Sequence, residues 1–227
     1  MTIRLTSADG FQFPAYVATP KHTPKAAVVV LQEIFGVNAH IREVADGYAA
    51  AGYLAIAPAT FHRAKPGVEL GYTPEDMQAG MALKTAIENL PAPGVMADIQ
   101  ATVDHAHITC GGKVGVVGYC WGGLLTWRTA ALVKGVSAAV PYYGGGSTSE
   151  AEIKRTPHCP VLAHFAMQDH WIPMETVEDF KKAQPQVEVQ LYDADHGFNC
   201  DHRGAYQDAS AKLARERTLA FFAKHLA

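Results

Sequence analysis

KVGVVGYCWGG, residues Lys113 to Gly123, is the stretch on which the reading of this chain turns. Val114 to Val117 is short and apolar, as a buried strand is. Gly118-Tyr119-Cys120-Trp121-Gly122 then has the form glycine, any residue, nucleophile, any residue, glycine. That form makes a tight strand-to-helix turn with the nucleophile at its tip. The glycines suit it because the backbone is crowded there. The helix that follows points its positive end at residue 120, which favours a thiolate, the reactive form of cysteine. The backbone N–H of Trp121, at the first helical turn, is free to bind an oxyanion. Taken alone, the pattern also fits a buried structural cysteine between packing glycines. Its spacing does not fit the dinucleotide-binding pattern G-x-G-x-x-G.

On either side of this stretch, strands alternate with helices. Thr2 to Thr6 and Phe11 to Ala18 flank Asp9-Gly10 as a β-hairpin. AAVVVLQ, ending at Gln32, reads as a strand buried on both faces. Asn38 caps a helix with Ile41, Val44, Ala45, Tyr48 and Ala49 on one side and Gly52 at its end. Tyr53 to Ala57 is a strand, Thr73-Pro74-Glu75 starts a helix, and another helix runs from about Gly94 to His107. Further strands are expected at Val136 to Tyr143, Val161 to Phe165 and Val187 to Tyr192. A helix begins at Pro173, and a last one covers roughly Gly204 to His225. The alternation predicts an α/β protein: a mostly parallel central sheet with helices on both faces, residues 1–227 forming one domain. In such sheets ligands bind beyond the carboxyl ends of the strands.

Strand ends therefore hold the candidate chemistry. Asp169 follows Val161 to Phe165, and His196 follows Val187 to Tyr192. With Cys120 they stand in the order nucleophile, acid, base that an elbow of this kind requires. Asp169 alone would read as a helix cap, and one of eleven histidines in a loop carries little weight. Three residues of the right type, each after its own strand, point together to nucleophilic catalysis and to an α/β-hydrolase fold. Glu33 sits past the strand ending at Gln32, facing the same crevice, and reads by itself as a solvated charge. The N–H of Ile34 next to it is the second candidate oxyanion donor.

The composition agrees with a globular enzyme. The 227 residues are 48% hydrophobic and 18% charged with net charge −3, so no basic footprint points to nucleic acid. No apolar run is long enough to span a bilayer. Four cysteines without paired spacing read as reduced thiols in the cytoplasm. A small-molecule substrate and a monomer are expected.

The chain also resembles the dienelactone hydrolases, or carboxymethylenebutenolidases, over nearly its full length. The matching segments are QEIFGVN from Gln32, VGVVGYCWGG from Val114, PYYG from Pro141, QDHWIP from Gln168, HGF from His196 and RERTLAFF near the C-terminus. The resemblance implies a Cys120–His196–Asp169 triad, an oxyanion hole from Ile34 and Trp121, and no metal or cofactor. It implies that Glu33 helps generate the thiolate when substrate binds. The family reaction opens an unsaturated lactone bearing a carboxylate, to maleylacetate, in the breakdown of chlorinated aromatics. Two arginines of the family pattern are absent. EDMQAGMALKTAIENLP, from Glu75, offers Lys84 as its one cation, and Cys200 occupies the other position. Lys84, Arg203 and Tyr143 are the candidate substrate-binding residues, with Arg63 at another strand end. Alternatives are an esterase or lactonase of other substrates, a metal-binding protein using Asp195, His196, Cys200, Asp201 and His202, or a redox-sensing thiol protein.

Overall fold

β3 (Ala27–Leu31) is buried at every residue, and its alternation assembles two cores. Val28 and Val30 join a cluster with Ile41, Tyr48 and Phe222. Val29 and Leu31 join another with Ile99, Val103 and Leu125. Successive strand side chains point to opposite faces, so a strand apolar throughout must be covered on both. The computed structural model describes all 227 residues.

Around β3 stands an eight-stranded sheet in the order β1-β2-β4-β3-β5-β6-β7-β8. β1 (Thr2–Thr6) and β2 (Gln12–Ala18) form the expected antiparallel hairpin, and β2 also runs antiparallel to β4 (Leu54–Pro58). From β4 onward every pairing is parallel, through β5 (Val114–Tyr119), β6 (Val136–Tyr142), β7 (Leu162–Ala166) and β8 (Glu188–Tyr192). This is the α/β-hydrolase architecture, and all its parallel strands end on the same edge.

The helices are α1 (Ala39–Ala50), α2 (Pro74–Glu88), α3 (Val95–Cys110), α4 (Trp121–Leu132), α5 (Met174–Ala183) and α6 (Asp208–His225). Asn38 caps α1 by accepting from the Ile41 N–H. Thr73 and Asp76 cap α2 reciprocally, with Pro74 at its first turn. Two boundaries differ from expectation. α3 continues to Cys110 and ends on left-handed Gly111. α6 starts at Asp208 rather than Gly204, because the Gln207 side chain accepts from the Ser210 N–H and 200–206 is spent on turns.

Candidate active site

The turn between β5 and α4 is built by close approach. A Cβ on Gly118 would lie 2.1 Å from the Gly122 carbonyl oxygen, and one on Gly122 would lie 2.3 Å from that of Leu31. Neither position tolerates a side chain, so the end of β3 rests directly on the first turn of α4. Cys120 between them has φ 57° and ψ −117°, a left-handed strained conformation for a non-glycine residue. Its N–H is held by the Tyr142 carbonyl at 3.1 Å.

β7 and β8 deliver the other two residues. His196 Nδ1 donates to Asp169 Oδ2 at 2.7 Å. Asp169 Oδ1 accepts from the N–H groups of Trp171 at 2.7 Å and Ile172 at 3.2 Å. Asp169 therefore does not cap α5, which has no side-chain cap; one oxygen of this buried carboxylate pins the loop before that helix and the other holds His196. Burial acts against a charged His196. The charge of Cys120, the bond to Asp169 and the bond to Cys120 outweigh it and raise the imidazole to about 10. The ring is thus hydrogen-bonded to the carboxylate and lines the cavity together with Cys120.

The loop after β3 forms the opposite wall. Gly36, at φ +85°, would place a Cβ 2.0 Å from the Val68 carbonyl oxygen, so the loop is pressed onto the segment before α2. α2 itself packs on Ile34 through Gly80, whose Cβ would lie 2.3 Å from the Ile34 carbonyl oxygen. The Ile34 N–H has no hydrogen-bond partner, and the Trp121 N–H, first in α4, has no intrahelical one. Both residues line the same cavity of about 240 Å³ as Cys120, His196, Lys84 and Arg203. Phe35, Met77, Met81 and Trp171 supply its apolar wall, and Trp171 is 66% exposed at the rim.

Glu33 corrects the residue-level reading. It is 0% exposed rather than solvated. Tyr72 donates to its Oε2 at 3.1 Å and Arg203 to its Oε1 at 3.3 Å. Arg203 also lies 5.7 Å from the Phe35 ring centre and 5.9 Å from that of Tyr72. Burial works against its charge, but Glu33 holds it protonated. Lys84 lines the cavity and is in no ion pair. Tyr143 lies outside the cavity wall: it is wholly buried, its ring centre 5.1 Å from that of His196. Arg63 does not line the cavity and is paired with Asp9 at 2.8 Å and Asp98 at 2.7 Å. The proposed metal-ligand run does not come together as one set: Cys200 groups with Glu33 and His40, Asp201 and His202 group with His40 and Glu43, and Asp195 and His196 join neither group.

Tyr72, His40 and Glu88 escaped the sequence reading. Glu88 Oε1 accepts from Trp121 Nε1 at 2.8 Å and both its oxygens bond Arg128. It ties α2, one cavity wall, to the helix of the elbow. Its distance of 33 residues from Trp121 left no local signal.

Comparison with known proteins agrees with this arrangement. The model of the dienelactone hydrolase family matches residues 13–226. A carboxymethylenebutenolidase of Pseudomonas putida is 35% identical, over 97% of this chain and 95% of that one. A Klebsiella pneumoniae crystal structure, provisionally described as a dienelactone hydrolase, superposes with TM-score 0.84 at 33% identity, covering 99% of this chain and 98% of that one. The promiscuous phosphotriesterase P91 from metagenomic libraries, described as dienelactone hydrolase-like, shares the fold at TM-score 0.76 and 20% identity, over 100% of this chain and 99% of that one. The chain therefore belongs to the dienelactone hydrolase family, whose members are hydrolases of esters and lactones.

Proposed function

We propose that this hydrolase opens a lactone or small ester with Cys120 as nucleophile, His196 as acid and base, and Asp169 as the group that orients it. The observation that carries this reading is the His196 ring, bonded to Asp169, lining one cavity with Cys120 and two free N–H groups. The Cys120 thiolate attacks the acyl carbon. The Ile34 and Trp121 N–H groups stabilise the oxyanion. Collapse forms a thioester and breaks the bond to the leaving oxygen, which takes a proton from His196. The neutral imidazole then accepts a proton from water, whose oxygen attacks the thioester and releases the acid and the thiolate. In a lactone the leaving oxygen stays tethered to the acyl group.

Glu33 enters on substrate binding. Its oxygens are engaged by Arg203 and Tyr72, so it can accept the Cys120 proton only when Arg203 is drawn off. A substrate carboxylate would do that. Lys84, the lining cation without an ion pair, supports the same substrate class: a small apolar lactone with an acidic group. Residues 1–227 act on this reading as one domain and a monomer. The free cysteines suit a reducing compartment such as the cytoplasm. No helix is long and apolar enough to cross a membrane.

A panel of lactones and esters, a dienelactone and its neutral ester included, tests the proposal, with Cys120→Ala as control. The acidic lactone should have the highest kcat/KM, and Cys120→Ala should lose nearly all turnover while keeping its fold. Normal turnover by Cys120→Ala overturns the nucleophile. Preference for neutral esters favours a general esterase instead.

A further inference from the structure

We propose that Glu33, His40 and Cys200 form a buried binding site for a soft divalent cation of the zinc class, directly behind the cavity. The three come from separate segments: the loop after β3, the first turn of α1 and the loop between β8 and α6. Their exposures are 0%, 3% and 0%. One ligand atom from each lies within 4.8 Å of the other two. His40 is held by Asp201, whose Oδ1 is 3.3 Å from Nδ1. Its other nitrogen, Nε2, is buried and without any hydrogen-bond partner. Buried polar atoms are rarely left unpaired, because desolvation costs them a partner's worth of free energy. A nitrogen lone pair facing a carboxylate and a thiol is the donor set that zinc takes.

The chemistry of that set is selective. Mixed nitrogen, oxygen and sulfur donors suit Zn²⁺ and Cd²⁺, whereas Mg²⁺ and Ca²⁺ need oxygen shells. Zinc bonds of about 2.0–2.3 Å require the three donors to close in from separations of up to 4.8 Å. Asp201 on Nδ1 is the usual second partner that orients a ligating imidazole. Binding expels the Cys200 proton to solvent, so thiolate and Glu33 together balance the ion's charge. Tyr72, bonded to Glu33, borders the site. An entry path exists. His40 and Asp201 line a surface cleft with Glu43, and His40, Glu43, Asp201 and His202 bring ligand atoms together at its mouth.

A bound ion takes Glu33 away from Arg203 and Tyr72. On the proposed role of Glu33 this slows hydrolysis, a consequence that rests on that reading, whereas binding does not. The test uses Cys120→Ser protein, which removes the nucleophilic thiol as a competing ligand. Dialysis against Zn²⁺ with metal analysis should give one ion per chain. Cd²⁺ should produce the ultraviolet absorption of a cadmium–thiolate bond. Both should vanish in the additional Cys200→Ala variant, and affinity should fall by about tenfold or more in His40→Ala. Both should survive in His202→Ala. Binding that survives Cys200→Ala, or that is lost in His202→Ala alone, overturns the buried site, as does the absence of any stoichiometric ion. If the ion binds as expected yet leaves wild-type hydrolysis unslowed, the site stands and the role given to Glu33 falls.

Discussion

His196 bonds the Asp169 carboxylate through Nδ1 and lines the cavity with Cys120, and against the effect of burial the charge of Cys120 and the bond to Asp169 raise its proton affinity. Its pKa is raised from 6.5 to about 10. A group raised in the folded state stabilises it fully below its unfolded value, so this contribution is complete below 6.5 and is lost as pH climbs through about 10. Cys120→Ala removes one of the charges responsible. An NMR titration of the ring should therefore show a lower midpoint in that variant, and an unchanged midpoint would mean that thiol and imidazole are not coupled. Glu33→Gln bears on the other side of the cavity. It keeps the size of the side chain and removes the base, so kcat on the best acidic lactone should drop by about 10²-fold or more. The same change leaves Arg203 without its buried counter-charge, and thermal stability should fall too. Alkylation of Cys120 without substrate should slow far less than kcat. Unchanged kcat would return Glu33 to a structural role. At this scale the sequence was legible where a residue's meaning lay in its own turn, as with Cys120 and Asp169. It was not legible for Glu33, whose burial depends on an arginine 170 residues away.

Elements were easiest to read where apolar pattern and cap agreed. Thr73-Pro74 announces α2 because both cap and first turn are local, and AVVVL announces β3 because a strand covered on both faces has no polar position. The start of α6 was harder, since Gly204 to Gln207 has no residue that forbids helix and the decision falls to a side-chain cap. Least visible was how elements are tied together. Glu88 at the end of α2 joins it to α4 through Trp121 and Arg128, the latter at 2.7 Å. Burial opposes the Glu88 charge, while the bonds from Trp121 and Arg128 lower its pKa overall. Glu88→Ala strands the Trp121 indole Nε1–H and removes one of the two carboxylate partners of Arg128. We expect a loss of about 1–2 kcal/mol in denaturant unfolding, discounted because the pair is partly solvated. Because α2 also carries Met77, Met81 and Lys84, KM should rise more than kcat falls. The reverse split would mean that Glu88 acts on the chemistry and not on the cavity wall.

Across the whole molecule, the β1–β2 side of the sheet is held by a separate network. Arg63 bonds Asp98 of α3 through Nε and Nη2 and Asp9 of the first hairpin's turn through Nη1 and the same Nη2. Ser7 adds a further bond to Asp98, whose side chain is 1% exposed. Asp98→Ala leaves a partly buried guanidinium short of its partner and should cost about 3–5 kcal/mol, while the folded fraction keeps its kcat/KM. A matching loss of kcat/KM in fully folded protein would show that this network reaches the cavity. The order of the strands has a consequence for synthesis. β4 fills the place between β2 and β3, and from β5 onward the sheet grows by addition at one side: β5 against β3, then β6, β7 and β8 in turn. A chain emerging from the ribosome can add each strand to a neighbour already made. The elbow and its thiol are complete once α4 has formed, but the imidazole arrives only after the last strand. Between those moments the nascent protein carries a cysteine with no histidine beside it, so that chemical competence is the final event of its birth.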